Sequence, residues 1–148
     1  MRPAHLLVPA AFTALVAAYL VARGTDAIML AYDIPIAWPF AAFGIELART
    51  RPAARVLALD LVVVAVALAR MVPGVPGYSG HALFLGYAAA RCASPFVRVP
   101  TILVLIEVLV VKLAIWRDWV TPIGSAVLVL LALACMRGLH PSRGSATT

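Results

Sequence analysis

Charged side chains are scarce in this chain, since Asp, Glu, Lys and Arg make up 12% of its 148 residues whereas 64% are hydrophobic. A chain of this length forms one domain and leaves no room for a separate soluble module. Cysteine is limited to Cys92 and Cys135, and their spacing matches no metal motif. The chain also lacks a P-loop, an H-E-x-x-H motif and a G-x-S-x-G motif, which removes the usual signatures of nucleotide, zinc-protease and serine-hydrolase sites.

Long apolar runs take the place of charge, and the mean hydropathy is +1.03. The runs follow one another from Leu6 to Met136, each roughly as long as a bilayer is thick. This pattern predicts an all-α polytopic membrane bundle as a single domain over 1–140, followed by a disordered cytoplasmic tail over 141–148. The predicted transmembrane helices are Leu6–Ala22, Ile28–Leu47, Ala53–Ala69, His81–Val97, Thr101–Trp116 and Pro122–Met136.

Two of these helices have alternative interpretations. Asp33, Pro35 and Pro39 interrupt the second helix, which is therefore expected to be kinked, re-entrant or interfacial, and a five-span topology is the alternative. The first run also resembles a signal peptide in position. Its length of roughly 17 residues and the lack of a clear A-x-A site favour a first transmembrane helix.

Arginine is distributed unevenly between the two sides of the predicted bundle. With the N-terminus in the cytoplasm, the cytoplasmic side receives Arg49, Arg51, Arg55, Arg98, Arg137 and Arg143. The positive-inside rule then predicts an inner-membrane protein with both termini cytoplasmic. The same rule explains the net charge of +6 better than nucleic-acid binding does, so membrane lipids are the expected partners. The sequence does not indicate an oligomeric state.

Three charged residues lie within the apolar runs, where an unpaired charge is costly. Counting 1.5 Å per residue from the helix ends predicts one depth for Asp60, Arg91 and Glu107, on three consecutive antiparallel helices. Because arginine can bind a carboxylate through two hydrogen bonds, we expect a buried ion cluster in which Arg91 contacts Asp60 or Glu107. This cluster can serve as a structural network or as a path for protons or cations.

A second polar layer is predicted at the extracytoplasmic side of the bundle. It collects Asp26, Asp33, Arg70, Ser79, His81, Lys112, Arg117 and Asp118. Cationic and imidazole side chains at a membrane face suit a phosphate or another anionic headgroup, although ordinary interfacial charge with a snorkelling lysine has the same composition. Lys112 and Asp118 can converge only if the fifth predicted helix ends or bends near Trp116. We predict such a break, because Trp116-Arg117-Asp118-Trp119 is typical of an interfacial turn and Pro122 prevents simple continuation of the helix.

The tripeptide Ser79-Gly80-His81 at the outer start of the fourth helix resembles the P-S-G-H motif of the type 2 phosphatidic acid phosphatase family of lipid phosphate phosphatases. Lys112 and Asp118 have the spacing of the Arg and the nucleophilic His in that family's S-R-x5-H-x3-D motif. The resemblance implies that Ser79 holds phosphate, that His81 protonates the leaving oxygen and that Asp118 occupies the nucleophile position.

The chain departs from the family pattern at several positions. Tyr78 replaces the proline of P-S-G-H, and Pro122 stands where the orienting Asp belongs. In the first motif, K-x6-R-P, only Arg70 matches, because Val63 replaces the lysine and Met71 the proline. The motifs are therefore degenerate.

Three functions follow from these observations. The leading hypothesis is a lipid- or isoprenoid-phosphate phosphatase-like enzyme, or a degenerate phosphate-headgroup binder. Its catalytic residues would be His81 and Asp118, its substrate-binding residues Ser79, Lys112 and Arg70, and it would use no metal or cofactor. The alternatives are a small transporter or proton-coupled carrier that uses the cluster of Asp60, Arg91 and Glu107, and a structural membrane subunit.

Overall fold

The structure is a computed structural model that describes residues 3–71 and 80–139. Over these residues the protein is all-helical, and no strand occurs among them. The α-helices are α1 (Ala4–Ala22), α2 (Ala27–Asp33), α3 (Ala37–Thr50), α4 (Ala54–Ala69), α5 (Gly80–Arg91), α6 (Pro95–Val110) and α7 (Val120–Leu139). A π-helical turn over Val111–Ile115 continues α6. With α2 and α3 counted as one broken segment, the described residues form six helical segments, as predicted. The predicted tail over 141–148 lies outside the described residues.

Three of these segments are long and apolar enough to cross a membrane. They are α1, the broken segment over Ala27–Thr50 and α7, with lengths of 19, 24 and 20 residues. At 1.5 Å per residue, each matches or approaches the thickness of a bilayer core. Six crossings and cytoplasmic termini remain predictions.

Both predicted interruptions are present. The α-helix is interrupted between Asp33 and Ala37, around Pro35, because proline has no backbone N–H with which to continue the helical hydrogen bonds. The flanking Ile34 and Ile36 keep right-handed helical dihedral angles. The second interruption is the π-helical turn, which ends at Trp116, where the amide N–H bonds to the carbonyl of Val111 at 3.0 Å. The predicted break near Trp116 is therefore confirmed.

The predicted boundary between the fourth and fifth helices is wrong. We expected one helix to end at Val97 and the next to begin at Thr101, after Pro100. Instead α5 ends at Arg91 and α6 begins at Pro95, with Pro100 inside the helix. Proline fits the first helical turn, because the backbone N–H there has no partner in the helix. Of the two prolines, Pro95 takes this position.

The helices alternate in direction, so the bundle has two ends. The proximal end contains the starts of α1, α4 and α6, and the distal end contains the opposite ends of the same helices. The rings of His5 on α1 and Phe96 on α6 lie 6.2 Å apart at the proximal end. At the distal end, Lys112 in the π-helical turn donates a hydrogen bond to Thr121 in the first turn of α7 at 3.4 Å.

Helix α5 is the centre of the bundle. It packs against α3, α4, α6 and α7, and residues 80–85 are all buried. Phe84 stacks on Phe40 of α3 with a centroid distance of 3.8 Å. Gly80 approaches α4 so closely that a Cβ atom there would lie 2.0 Å from the carbonyl oxygen of Ala67. Helix α1 is peripheral, because Pro9 is its only buried residue.

Candidate functional site

A buried ion pair lies in the proximal half of the bundle. Asp60 on α4 is fully buried, and Arg91 at the end of α5 donates to it through Nε at 3.2 Å and through Nη2 at 3.3 Å. The hydroxyl of Tyr87 donates to the same carboxylate at 2.5 Å. The expected contact between Arg91 and Asp60 is therefore present. Sequence reasoning missed Tyr87, although its spacing of four residues from Arg91 places both on one face of α5.

Glu107 does not join this pair, and no hydrogen bond or salt bridge connects it with Asp60 or Arg91 among the described residues. The depth estimate for Glu107 is wrong because α6 starts at Pro95, six residues earlier than predicted, which moves Glu107 roughly 9 Å further towards the distal end. The Oε2 atom of Glu107 is buried and accepts no hydrogen bond from the described residues.

An imidazole–carboxylate pair occupies the distal half of the bundle. His81, in the first turn of α5, is 2% exposed, and its Nε2 atom lies 2.8 Å from Oδ1 of Asp33, the last residue of α2. The ring of Tyr32 packs on the imidazole at a centroid distance of 4.3 Å. Asp33 is thus held at the point where Pro35 breaks the second segment, beside the start of the central helix.

The π-helical turn brings a lysine into the same distal layer. Lys112 is 1% exposed, and its Nζ atom lies 5.8 Å from the ring centroid of Tyr32 and 5.6 Å from that of Trp116. The ammonium also lies 3.7 Å from Oδ2 of Asp118. Arg117 has a positive φ of 50°, and this turn allows the chain to double back so that Asp118 meets Lys112. The predicted convergence of Lys112 and Asp118 is therefore present.

Asp118 also stabilises the start of α7. Its Oδ1 atom accepts the backbone N–H of Thr121 at 3.1 Å, and its other oxygen accepts the hydroxyl of Thr121. Partial burial alone would raise the pKa of Asp118, but the hydrogen bonds from Thr121 and the charge of Lys112 outweigh burial and lower the pKa. The carboxylate is thus held in its charged form.

This lowered pKa predicts an acid-dependent loss of stability. A carboxylate with a depressed folded-state pKa stabilises the fold above its unfolded-state pKa, and this contribution disappears as the pH falls through the folded-state pKa. Asp118→Asn keeps an acceptor oxygen but removes the charge. We expect it to lower the free energy of unfolding by on the order of 1 kcal/mol at pH 7, with a difference from wild type that shrinks towards pH 2. Thermal unfolding in detergent across this range tests the expectation, and a constant difference would contradict it.

The distal half also encloses a cavity of about 680 Å³, which we call the distal cavity. Its apolar wall consists of Val16, Leu20, Met29, Ile36, Leu68 and Met71. Its polar lining consists of Tyr19, Arg23, Thr25, Asp33 and His81. Three other cavities lined by described residues, of about 310, 180 and 160 Å³, are smaller. Because α1 packs chiefly on α3 whereas α4 packs on α5 and α7, the cavity fills the gap between α1 and α4.

Only some of the predicted site residues meet in this cavity. His81 lines it, whereas Lys112, Asp118 and Arg70 do not. Arg70 follows α4 and is half-buried, and Ser79 lies outside the described residues. The cation at the cavity mouth is instead Arg23, which donates to the hydroxyl of Tyr19 at 2.8 Å.

Sequence reasoning did not assign Arg23 to the site, because its position at a helix end is also that of an ordinary interfacial charge. The four-residue spacing of Tyr19 and Arg23 places both on one face of α1 and was the available signal. No group of three or more potential metal ligands occurs among residues 3–71 and 80–139. Comparison of the chain with protein-family models, with curated proteins and with solved structures found no match in any of the three.

Proposed function

We propose that this chain is a polytopic inner-membrane protein that binds a phosphate-bearing lipid headgroup in the distal cavity. The observation that carries the proposal is that three kinds of group line one cavity. They are the cation of Arg23, the imidazole–carboxylate pair of His81 and Asp33, and an apolar wall. Its volume falls within the range of about 300–1,000 Å³ typical of small-molecule sites. A lipid supplies both a charged headgroup and apolar chains for such a space.

The distribution of cations supports placing the distal end at the extracytoplasmic face. Arginines at the proximal end outnumber those at the distal end, which are Arg23, Arg70 and Arg117. Under the positive-inside rule the proximal end, with both termini, then faces the cytoplasm. A lipid headgroup in the distal cavity would belong to the outer leaflet of the inner membrane.

Binding is favoured over hydrolysis by the position of the two predicted catalytic residues. Asp118 does not line the cavity, and its carboxylate is already engaged by Thr121 and Lys112. A nucleophile must lie within bonding reach of the same phosphate that His81 would protonate. The Ser-Gly-His tripeptide resembles the motif of lipid phosphate phosphatases. We therefore interpret this protein as a phosphate binder that retains part of a phosphatase-like site without its catalysis. A path through Asp60, Arg91 and Glu107 is disfavoured, because Glu107 contacts neither Asp60 nor Arg91 among the described residues.

The proposal is tested with the purified protein in detergent and two lipids that differ only in the phosphate. We expect phosphatidic acid to bind more tightly than diacylglycerol. We expect Arg23→Gln to lower the affinity for phosphatidic acid about tenfold, because it removes one charge-assisted hydrogen bond. Arg117→Gln is the matched control, because it removes the same charge from an exposed distal residue outside the cavity.

Two outcomes would overturn the proposal. Equal affinity for the two lipids would remove phosphate recognition, and equal losses in Arg23→Gln and Arg117→Gln would remove the cavity as its location. Phosphate release that stops in His81→Ala would replace the binder with the phosphatase-like enzyme.

A further inference from the structure

The walls of the distal cavity differ in exposure from one side to the other. On the inner side, Ile36 and His81 are 6% and 2% exposed. On the outer side, Leu68 near the end of α4 and Tyr19 on α1 are 51% and 58% exposed, although both also line the cavity. The cavity therefore extends from the interior of the bundle to its outer surface, in the gap between α1 and α4.

The apolar residues of α1 form a continuous path along this gap. Val16, Leu20 and Arg23 line the cavity at spacings of four and three residues, which places them on one face of α1. At 1.5 Å per residue, this face extends roughly 10 Å from Arg23 towards the proximal end. An alkyl chain on this path would cover apolar side chains of α1 on one side and Leu68 of α4 on the other.

A cation is held at the distal end of this path. The guanidinium of Arg23 donates to the hydroxyl of Tyr19 at 2.8 Å, and its central carbon lies 5.6 Å from the centroid of the Tyr19 ring. A guanidinium has five N–H donors, and the bond to Tyr19 uses only Nη1. A phosphate bound to Arg23 would therefore have an apolar path directly beside it, between two membrane-facing helices.

We infer that the distal cavity opens sideways into the bilayer between α1 and α4, and that an acyl chain of its lipid ligand leaves the cavity through this opening. We call it the lateral opening, and its edges are Tyr19 and Leu20 on α1 and Leu68 on α4. The inference rests on the proposed function and specifies its ligand as a phosphate whose alkyl chain is itself recognised. Leu68 is then a specificity-determining residue, because it contacts the chain and not the headgroup.

The test uses the full-length protein in detergent and compares phosphatidic acid with glycerol 3-phosphate, which has a phosphate but no acyl chain. Leu68→Trp places a bulky ring in the lateral opening. We expect it to lower the affinity for phosphatidic acid about tenfold, which corresponds to the lost burial of roughly two methylene groups, and to leave the affinity for glycerol 3-phosphate unchanged. Leu61→Trp is the matched control, because Leu61 is a leucine of α4 that is 55% exposed and lies outside the cavity.

Leu20→Trp repeats the test from α1 if Leu68→Trp does not fold, with Leu15→Trp as its control, because Leu15 is exposed on the same helix outside the cavity. Equal affinities of Leu68→Trp and Leu61→Trp for phosphatidic acid would overturn the lateral opening and leave the proposed function intact. This comparison decides the inference even if glycerol 3-phosphate binds too weakly to measure.

Equal losses of affinity for both ligands in Leu68→Trp would also overturn the inference, since the substitution would then act on the phosphate site and not on the path of the chain. Failure of phosphatidic acid to bind wild-type protein more tightly than diacylglycerol would overturn the proposed function itself.

Discussion

Replacing Arg91 with Met is expected to destabilise the protein more than replacing Arg91 and Asp60 together. Asp60 is fully buried and receives its only positive charge among the described residues from Arg91. Removing one partner of a buried ion pair strands the other charge in a low-dielectric interior, at a cost of about 3–5 kcal/mol in measured cases. Since Arg91 retains partial exposure of 22%, we expect a loss on the order of 3 kcal/mol.

The double variant Arg91→Met/Asp60→Asn should recover part of that loss. Asparagine removes the stranded charge and keeps an oxygen that can accept the hydroxyl of Tyr87. Unfolding in detergent, followed by helicity, compares the single and double variants. Arg98→Met is the matched control, because Arg98 is an exposed arginine at the same end of the bundle. A double variant less stable than Arg91→Met would show that the pair is not the unit we describe.

Gly80→Ala is expected to have an effect of similar size through packing alone. The added Cβ would lie 2.0 Å from the carbonyl oxygen of Ala67 and 2.8 Å from the side chain of Met71. A backbone oxygen cannot swing aside as a flexible side chain can, so α5 must move away from α4. Overpacking in a tight core costs about 1–3 kcal/mol and occasionally more, and we expect a value near the upper limit.

Gly44→Ala provides the control for this substitution. Gly44 lies inside α3, and a Cβ atom there would meet nothing within 4 Å. Alanine is the better helix former by about 0.5–1 kcal/mol, so this variant should be as stable as wild type or slightly more stable. Equal thermal midpoints for Gly80→Ala and Gly44→Ala would contradict the close approach of α5 to α4.

Hydropathy and proline positions predicted most of the helical architecture. The six segments follow from apolar runs. The break at Pro35 follows from a residue that cannot continue a helix, and the break near Trp116 follows from an interfacial turn ahead of Pro122. The choice between Pro95 and Pro100 was not predictable, because either proline can occupy the first turn of a helix and tertiary packing selects one. This single choice moved Glu107 from the proximal layer to the distal one.

The sequence predicted which kinds of side chain form the candidate site, but not which of the residues line the cavity. Depth counting placed His81, Asp33 and Lys112 in one layer, but depth does not determine which way a side chain points around its helix. Lys112 therefore packs between Tyr32 and Trp116, outside the cavity, and Arg23 lines the cavity in its place. The contact of Tyr87 with Asp60 could have been predicted from the sequence, because Tyr87 lies four residues from Arg91 and therefore on the same face of α5.

The peripheral position of α1 leaves one side of the distal cavity on a helix that contacts little of the bundle besides α3. Helix α1 packs chiefly on α3, and its only buried residue is Pro9, so most of its surface faces away from the rest of the bundle. Sub-global opening draws on such weakly packed elements first. Because Val16, Tyr19, Leu20 and Arg23 form one side of the cavity, detachment of α1 would dismantle the proposed binding site while α4–α7 remained folded around α5. Intact helicity in a harsh detergent is therefore no guarantee of a ligand-competent protein.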